Sequence, residues 1–393
     1  MANTILTPTA VTREALRILH QKLNFVGSID RQYDDSFAKK GAKIGDSLKI
    51  RLPNQYTVRT GANLSAQDTT ETSTTLQVST QKGVDVSFSS AELSLSLDDF
   101  SKRILDPAMS VLAANVEADA MAMYKDVFNA VANVGAAATY NKVLDARVKL
   151  QNALAPTNDR TANLNPLDMA DLVKDTKTLF NNQSEVARQY REGYMGRAAG
   201  LDFVENTLWA NHVVGSANTI TCNTSTGIVS GSSTITVAVT GSFNKGDVFT
   251  IAGVFEAHPE TKANTGRLQQ FVVTSADGTT TTPTVSPVPV TSGAQQNIVI
   301  VSAGAGKTVT PALTASATTG TSLAYQKEAF TFATADLVMP SGVDFAAREV
   351  MDGLSLRIVR QYAISTDTFP CRIDILYGYK TLRAQLAARL HNN

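Results

Sequence analysis

The sequence predicts an α+β fold whose helix-and-strand body is interrupted by an inserted all-β domain. Three observations predict it. Residues 96–131 form the longest strongly periodic run in the chain. Residues 41–90 alternate apolar and polar side chains as two strands joined by a long polar segment. Residues 216–324 shift to a Ser/Thr-rich, charge-poor composition, after which the mixed texture returns.

In the periodic run, Leu105, Met109, Leu112, Val116, Ala120, Met123, Val127 and Val131 recur at steps of three and four, which lays one apolar stripe along a helix. Asp106 and Pro107 read as an N-cap and a first-turn proline, and Asp98 with Asp99 as the opening of a shorter turn before them. A helix from Pro107 to Val131 would be roughly 37 Å long at about 1.5 Å per residue, a beam rather than an ordinary globular helix. Upstream, residues 8–24 spell a short amphipathic helix with Ala15, Leu16, Leu19 and Leu23 on one side and Thr12 as its cap. A helix of that size has no core of its own and must dock, on its own subunit or on a neighbour.

The ribbon begins at GAKIGDSLKIRLP (41–53), where a Gly-Asp turn leads into Leu48, Ile50 and Leu52 before Pro53 stops the strand. Residues 57–75 are polar and Thr-rich. Alternation then resumes through Leu76, Val78, Val84, Val86 and Phe88. A two-stranded ribbon alone is marginal in water, so it needs a second surface, and a distant tip finds that surface on another subunit. Arg51, Arg59, Asp68 and Glu71 bracket or occupy the polar tip and are candidates for contacts between subunits.

Residues 141–155 and 166–181 read as helices, the second opened by the cap-and-proline pair Asn165-Pro166. The single tryptophan, Trp209, is expected on a strand. Within 216–324 there are 35 Ser or Thr and 8 charged residues among 109, and strand-length apolar runs recur at 235–239, 248–254, 271–274, 285–290 and 297–301. That spacing predicts a small β-barrel or sandwich able to fold by itself. Phe249, Ile251 and Phe271 are its candidate core residues; alternation leaves open whether Val248 or Phe249 faces inward. From Leu323 onward, alternating apolar residues return together with Asp336, Arg348, Glu349, Arg357, Arg360 and Arg372.

Composition argues against several function classes. Lys+Arg and Asp+Glu both number 35, so no net charge steers the chain to a polyanion. Charged residues are 18%, below the usual quarter or so, which suits a protein that buries surface against copies of itself and equally a β-rich adhesin or fibre. Two cysteines, Cys222 and Cys371, make no disulfide framework. The start lacks the basic and apolar regions of a signal peptide, and no apolar run approaches the roughly 18 residues of a membrane span, so a soluble, cytosolic protein is expected. AGAGKT at 303–308 lacks the first glycine of a phosphate loop and is followed by strand-like residues and Pro311. His20, His212, His258 and His391 show no metal-ligand spacing. There is no nucleophile elbow, and the pairs Asp34-Asp35 and Asp98-Asp99 need no catalytic role. No enzyme, cofactor or metal site is expected.

The order of these parts resembles the major capsid (coat) proteins of tailed bacteriophages, in the branch with an inserted β-barrel domain on the capsid fold shared with herpesviruses. The resemblance spans nearly the whole chain. It rests on the arm at 1–30, GDSLKIRLP (45–53) leading into the extended loop, the spine helix at 97–131, the insertion at 216–324, and the closing 325–338 and 355–383 stretches with TDTFPCRIDILYGYK at 366–380. It implies five parts: the N-terminal arm (1–30); the extended loop and start of the peripheral domain (31–95); the spine helix with peripheral and axial domains (96–215); the inserted domain (216–324); and a return to the axial and peripheral domains (325–393).

The resemblance also implies a self-assembling structural protein. Its pentamers and hexamers would form an icosahedral head around double-stranded DNA, packaged without sequence specificity. A scaffolding protein would organise the procapsid, a portal protein would be a partner, assembly would take place in the host cytoplasm, and no membrane would be involved. Some members of the resembled family cross-link a loop lysine to a neighbour's asparagine. Here no lysine lies between Lys49 and Lys82, and a guanidinium is no substitute nucleophile, so uncross-linked shells are expected. A β-rich tail, decoration or adhesin-type protein is the rival reading; it accounts for the Thr-rich block but not for the long helices.

Overall fold

A computed structural model of the chain describes residues 8–34, 47–59, 61–64, 66–67, 71–88, 104–176, 196–365 and 368–392. The chain divides into two units. The first comprises Met1–Arg51, Ser73–Met121 and Phe330–Lys380; the second comprises Leu52–Thr72, Ala122–Ala329 and Thr381–Asn393. The fold is mixed α and β, as the sequence predicts.

In the first unit, α1 (Pro8–Lys22) opens on a proline, whose missing amide costs a first helical turn nothing. Val11, Ala15, Leu16, Ile18 and Leu19 are buried, and the helix lies against α3 (Asp106–Met121), β19 (Phe345–Met351) and β20 (Leu354–Arg360) of its own chain. Residues 8–22 therefore dock on their own subunit. Thr12 is not the cap: the helix starts four residues earlier, and Thr12 is buried inside it. The short helix α2 (Phe25–Ser28) follows and also packs on α3.

The spine is shorter than its periodicity suggests. The α-helix runs Asp106–Met121, about 24 Å at roughly 1.5 Å per residue. It tightens into a 3-10 segment over Ala122–Asp126, and Val131 lies on strand β5 (Ala130–Ala132). Val127 and Val131 keep the helical spacing, but strand pairing of β5 satisfies the backbone there and overrides it. Asp106 is the first residue of the helix rather than its cap. The turn expected at Asp98 and Asp99 lies outside the described residues.

Among the described residues a six-stranded sheet backs the spine, in the order β1 (Asp30–Asp34), β18 (Phe330–Ala335), β21 (Phe369–Thr381), β20, β19, with β4 (Thr80–Phe88) also on β21. The β19–β20 hairpin turns on Asp352 and Gly353, both at positive φ (50° and 76°), the geometry that closes a two-residue turn.

The ribbon is β2 (Ser47–Arg51) paired antiparallel with β3 (Ser73–Gln77), Leu48 opposite Leu76. Leu48, Ile50, Leu76 and Val78 pack on Ala333 and Leu376 of the same unit. The alternating run from Leu76 to Phe88 is two strands, not one. After Val78 the chain leaves the ribbon and pairs with β21, Val84 opposite Ile373 and Val86 opposite Cys371. The backbones approach so closely at that departure that a Cβ on Gly378 would collide with the Gln77 carbonyl.

The second unit holds two seven-stranded sheets among the described residues. The body sheet runs β5, β22 (Ala387–Asn392), β17 (Thr318–Gln326), β6 (Arg160–Leu164), β8 (Leu201–Glu205), β7 (Arg197–Ala198), with β9 (His212–Val213) on β17. Helix α4 (Tyr140–Asn152) covers β5, β17 and β22, with Val143 and Leu150 buried. Helix α5 (Pro166–Thr176) is capped as its sequence predicts, Asn165 Oδ1 accepting the Asp168 amide at 2.7 Å; residues 177–181 lie outside the described set. Trp209 is not on a strand. Asn206 Oδ1 accepts the Leu208 amide at 2.9 Å, and this local turn ends β8 and leaves Trp209 in the loop that follows.

The inserted sheet runs β11 (Val237–Thr240), β10 (Asn218–Cys222), β16 (Lys307–Pro311), β12 (Val248–Ala257), β13 (Asn264–Val273), β14 (Val285–Ser286), with β15 (Ile298–Ile300) on β12. The strand expected at 285–290 shrinks to two residues because Pro287 and Pro289 have no amide for the ladder. The AGAGKT segment is a turn into β16, with Lys307 the strand's first residue. Thr318–Gln326, most of it placed in the block by composition, pairs with β22 and β6 of the body sheet instead.

Phe249, Ile251 and Phe271 sit in the insertion's apolar core with Phe243; the Phe243–Phe249 and Phe249–Phe271 ring centroids are 5.6 and 6.0 Å apart. Val248 is also buried, on the opposite face, where it and Val272 meet Phe128 and Ala130. Phe271→Ala is expected to lower unfolding stability by about 3–5 kcal/mol. Leu268→Ala, in the same strand but 41% exposed, should change it by less than about 0.5 kcal/mol. Denaturant titration of both variants checks this.

Candidate assembly surface

The segment between the ribbon strands, 52–72, is closed on itself by few bonds. The Leu52 amide donates to the Thr72 carbonyl at 2.9 Å. The Thr57 amide donates to Gln67 Oε1 at 2.9 Å, and Gln67 Nε2 returns a bond to the Thr57 carbonyl. Arg59 Nη1 donates to the carbonyls of Gly61 and Asn63. These bonds satisfy polar groups and leave apolar ones outward: Tyr56 is 56% exposed, Leu64 87% and Val58 95%. A monomer gains nothing from three large apolar side chains on one exposed polar loop.

Three of the four charges singled out in the sequence lie among the described residues. Arg59 is engaged with its own loop, Arg51 ends β2 and Glu71 lies just before β3, both with exposed side chains. Asp68 lies outside the described residues. The charges that return after the insertion are spent inside the first unit. Arg357 and Arg372 both bond Asp374 (2.6 and 2.7 Å), Arg348 pairs with Asp336 (3.2 Å), Arg13 lies 3.6 Å from Glu349, and Arg360 stacks over Phe345 (4.7 Å).

Sequence reasoning missed two polar clasps in the second unit, one buried and one half-buried. In one, Asp247 at the foot of β12 accepts the Asn244 and Gly215 amides (2.8 and 3.0 Å) and faces His212 Nε2 at 3.1 Å. On the other side of the ring, His212 Nδ1 lies 3.4 Å from the Tyr124 hydroxyl. His212 and His391, far apart in sequence, have ring centroids 5.5 Å apart. Burial, with Arg389 and His212 nearby, holds the His391 imidazole well below its usual range. The buried Arg389 guanidinium lies over the Tyr124 ring, 5.9 Å from its centroid, and burial lowers it to about 10. In the other clasp, Gln270 acts as a strand partner for β5: its Oε1 accepts the Ala130 amide and its Nε2 donates to the Ala130 carbonyl, both at 3.0 Å. Lys149, its ammonium lowered by burial, donates to the same Oε1 at 2.7 Å.

Asp247, His212, His391 and Arg389 are buried, and Gln270 and Lys149 are half-buried, so both clasps hold structure. Burial also pushes the Cys222 and Cys371 thiols up to about 11, keeping them protonated. Among the described residues no group of three His, Cys, Asp or Glu is placed to hold a metal ion, and no helix is long and apolar enough to cross a membrane.

A sequence profile of the family described as P22 coat protein, gene protein 5, matches residues 13–388. The chain belongs to the P22 coat protein family. This coat protein is thus a structural component of a phage capsid. No curated protein matches it in sequence. Among solved structures it is similar to one of Mycobacterium phage Che8, with 11% identity, a TM-score of 0.47, and 94% of this chain and 90% of that one covered. It is also similar to the capsid of cyanophage P-SCSP1u (11% identity, TM-score 0.45, 93% and 86% covered). A third is the capsid of Helicobacter pylori bacteriophage KHP30 (10% identity, TM-score 0.42, 92% and 87% covered).

Removing the Asp247 carboxylate strands two buried amides and a histidine. Asp247→Ala in this coat protein is expected to cost about 3 kcal/mol or more, measured by denaturant unfolding.

Proposed function

We propose that this coat protein assembles as pentamers and hexamers into the icosahedral head enclosing double-stranded phage DNA, with a scaffolding protein aiding procapsid formation and a portal protein as a further partner. The observation that carries the reading is the loop at 52–72. In a coat-family chain it offers Tyr56, Val58 and Leu64 to solvent from a loop whose polar groups bond largely among themselves. Laid on a neighbouring subunit, such side chains each remove apolar area from water at about 25 cal/mol per Å². Arg51, Arg59, Asp68 and Glu71 would form the polar rim of that contact, each exposed pair contributing about 0–1 kcal/mol. A shell repeats the contact many times.

Electron microscopy of the protein expressed alone and with a candidate scaffolding protein tests the assembly. Closed shells or polyheads are expected; fibres or monodisperse particles would count against it. Val58→Asp and Leu64→Asp, and charge reversal at Glu71, should impair assembly while leaving the monomer's circular dichroism unchanged. A variant that unfolds the monomer shows the contact to be internal.

The mature shell should carry no covalent links between subunits. Lys82 is engaged with Asp119 at 2.7 Å, and Lys49 sits on β2 at the base of the loop. Heads boiled in SDS under reducing conditions should give one band near the 41.9 kDa monomer. A ladder surviving that treatment would refute this.

A further inference from the structure

We propose that docking of the N-terminal segment, residues 8–29, onto α3 is coupled to uptake of a proton by Glu117. The segment is then held tightest in mild acid and loosens as the pH rises toward neutrality.

Helix α3 buries a stripe of side chains. Met109, Leu112, Ala113, Val116 and Ala120 are apolar, and Glu117, 1% exposed, stands among them. Its carboxylate is turned to the start of α2. Oε1 accepts the Phe25 amide at 2.8 Å, Oε2 accepts the Val26 amide at 3.3 Å, and the Asn24 amide also bonds it. A helix leaves its first amides without partners and usually satisfies them with the N-cap side chain. Asn24 makes no such bond, so Glu117 replaces the cap from another helix. Phe25 and Val26 are fully buried, and Phe25 packs on Phe330 with ring centroids 5.7 Å apart. The carboxylate is therefore closed in only while the segment is docked.

Burial is the largest influence on Glu117 and raises its carboxyl to about 7, with the three amides acting in the opposite direction. Undocking returns it to water and to the ordinary value near 4.5. Because the docked-state value is the raised one, docking takes up a proton between these limits. Its stabilisation is fully present below the lower value and lost as the pH rises to the upper one.

Among the described residues most other charged groups on the packed elements are paired with one another. On α1, Glu14 bonds Arg17, His20 bonds Asp352 (2.9 Å) beside Arg31 (2.6 Å), Arg13 lies by Glu349, and Lys22 bonds Asp106 (3.0 Å). On β4, Lys82 bonds Asp119 of α3, which also accepts the Tyr377 hydroxyl of β21 at 2.5 Å; β4 also carries Asp85. The His20 hydrogen bond, with Arg31, holds Asp352 below its ordinary range. Its contribution is therefore lost only in stronger acid, outside the window that Glu117 governs.

Hydrogen exchange of the full-length protein at pH 5, 6, 7 and 8, corrected for intrinsic exchange rates, tests the proposal. Protection of the amides in 8–29 should fall by up to about tenfold per pH unit from 5 to 7 and then level off. Glu117→Gln and Glu117→Met should give protection flat with pH, while His20→Gln should keep the wild-type slope. Wild-type protection that is flat across the range overturns the proposal, as does a slope that survives in both Glu117 variants. If neither Glu117 variant folds, loss of the slope in His20→Gln would assign it to the His20–Asp352 pair and overturn the proposal equally.

Discussion

The constraint on which the second unit depends is burial on both faces of one end of the β12–β13 pair, where Val248 and Phe249 lie opposite Val272 and Phe271. On one face Phe249, Ile251 and Phe271 fill the insertion's own core; on the other Val248 and Val272 meet Phe128 and Ala130. Strands buried on both faces leave no side for polar residues, so the alternation that marks a half-buried strand fades there. Gln270 adds direction to this contact. Its amide completes the edge of β5, so an apolar contact that tolerates sliding is pinned by two hydrogen bonds at Ala130. The insertion is thus joined to the body sheet by fixed polar bonds as well as by the two chain crossings.

Among the described residues, several charges are paired inside the first unit. Asp374, 1% exposed, is shared by two arginines, and Asp336 takes both Arg348 and the Ser355 hydroxyl. Buried carboxylates of this kind are costly unless every oxygen is bonded, and both are bonded twice or more. The outward character of the 52–72 loop is accordingly set by Tyr56, Val58 and Leu64 rather than by a charged patch. Directional charge pairs thus fix the first unit, while the apolar side chains of the loop stay exposed.

Glu117 departs from that pattern. It is an ionisable group in an apolar stripe, and its partners are backbone amides rather than a cation. Backbone donors stabilise a carboxylate without neutralising it, so burial outweighs them and the group stays near its titration point. A lysine or arginine in reach would have removed that sensitivity.

The sequence by itself displayed the local patterns of helix, ribbon and Ser/Thr-rich β block. The Asn165-Pro166 cap, the Leu48–Leu76 ribbon, the apolar stripe of α3 and the Phe249–Phe271 core are local patterns of spacing and turn chemistry, and local patterns are what a linear chain displays. Only the tertiary structure decided where those patterns stop. Val131 has helical spacing but finds a strand partner in β22; Val84 and Val86 continue the ribbon's alternation but pair with β21; Thr318–Gln326 shares the insertion's composition but completes the body sheet. The clasps were equally hidden, because His212, Asp247 and His391, or Gln270, Ala130 and Lys149, meet across separations that carry no periodic signal. The physical reason is common to all of them. Backbone amides and most buried polar groups find a partner, and which partner is nearest depends on the packed sheets rather than on distance along the chain.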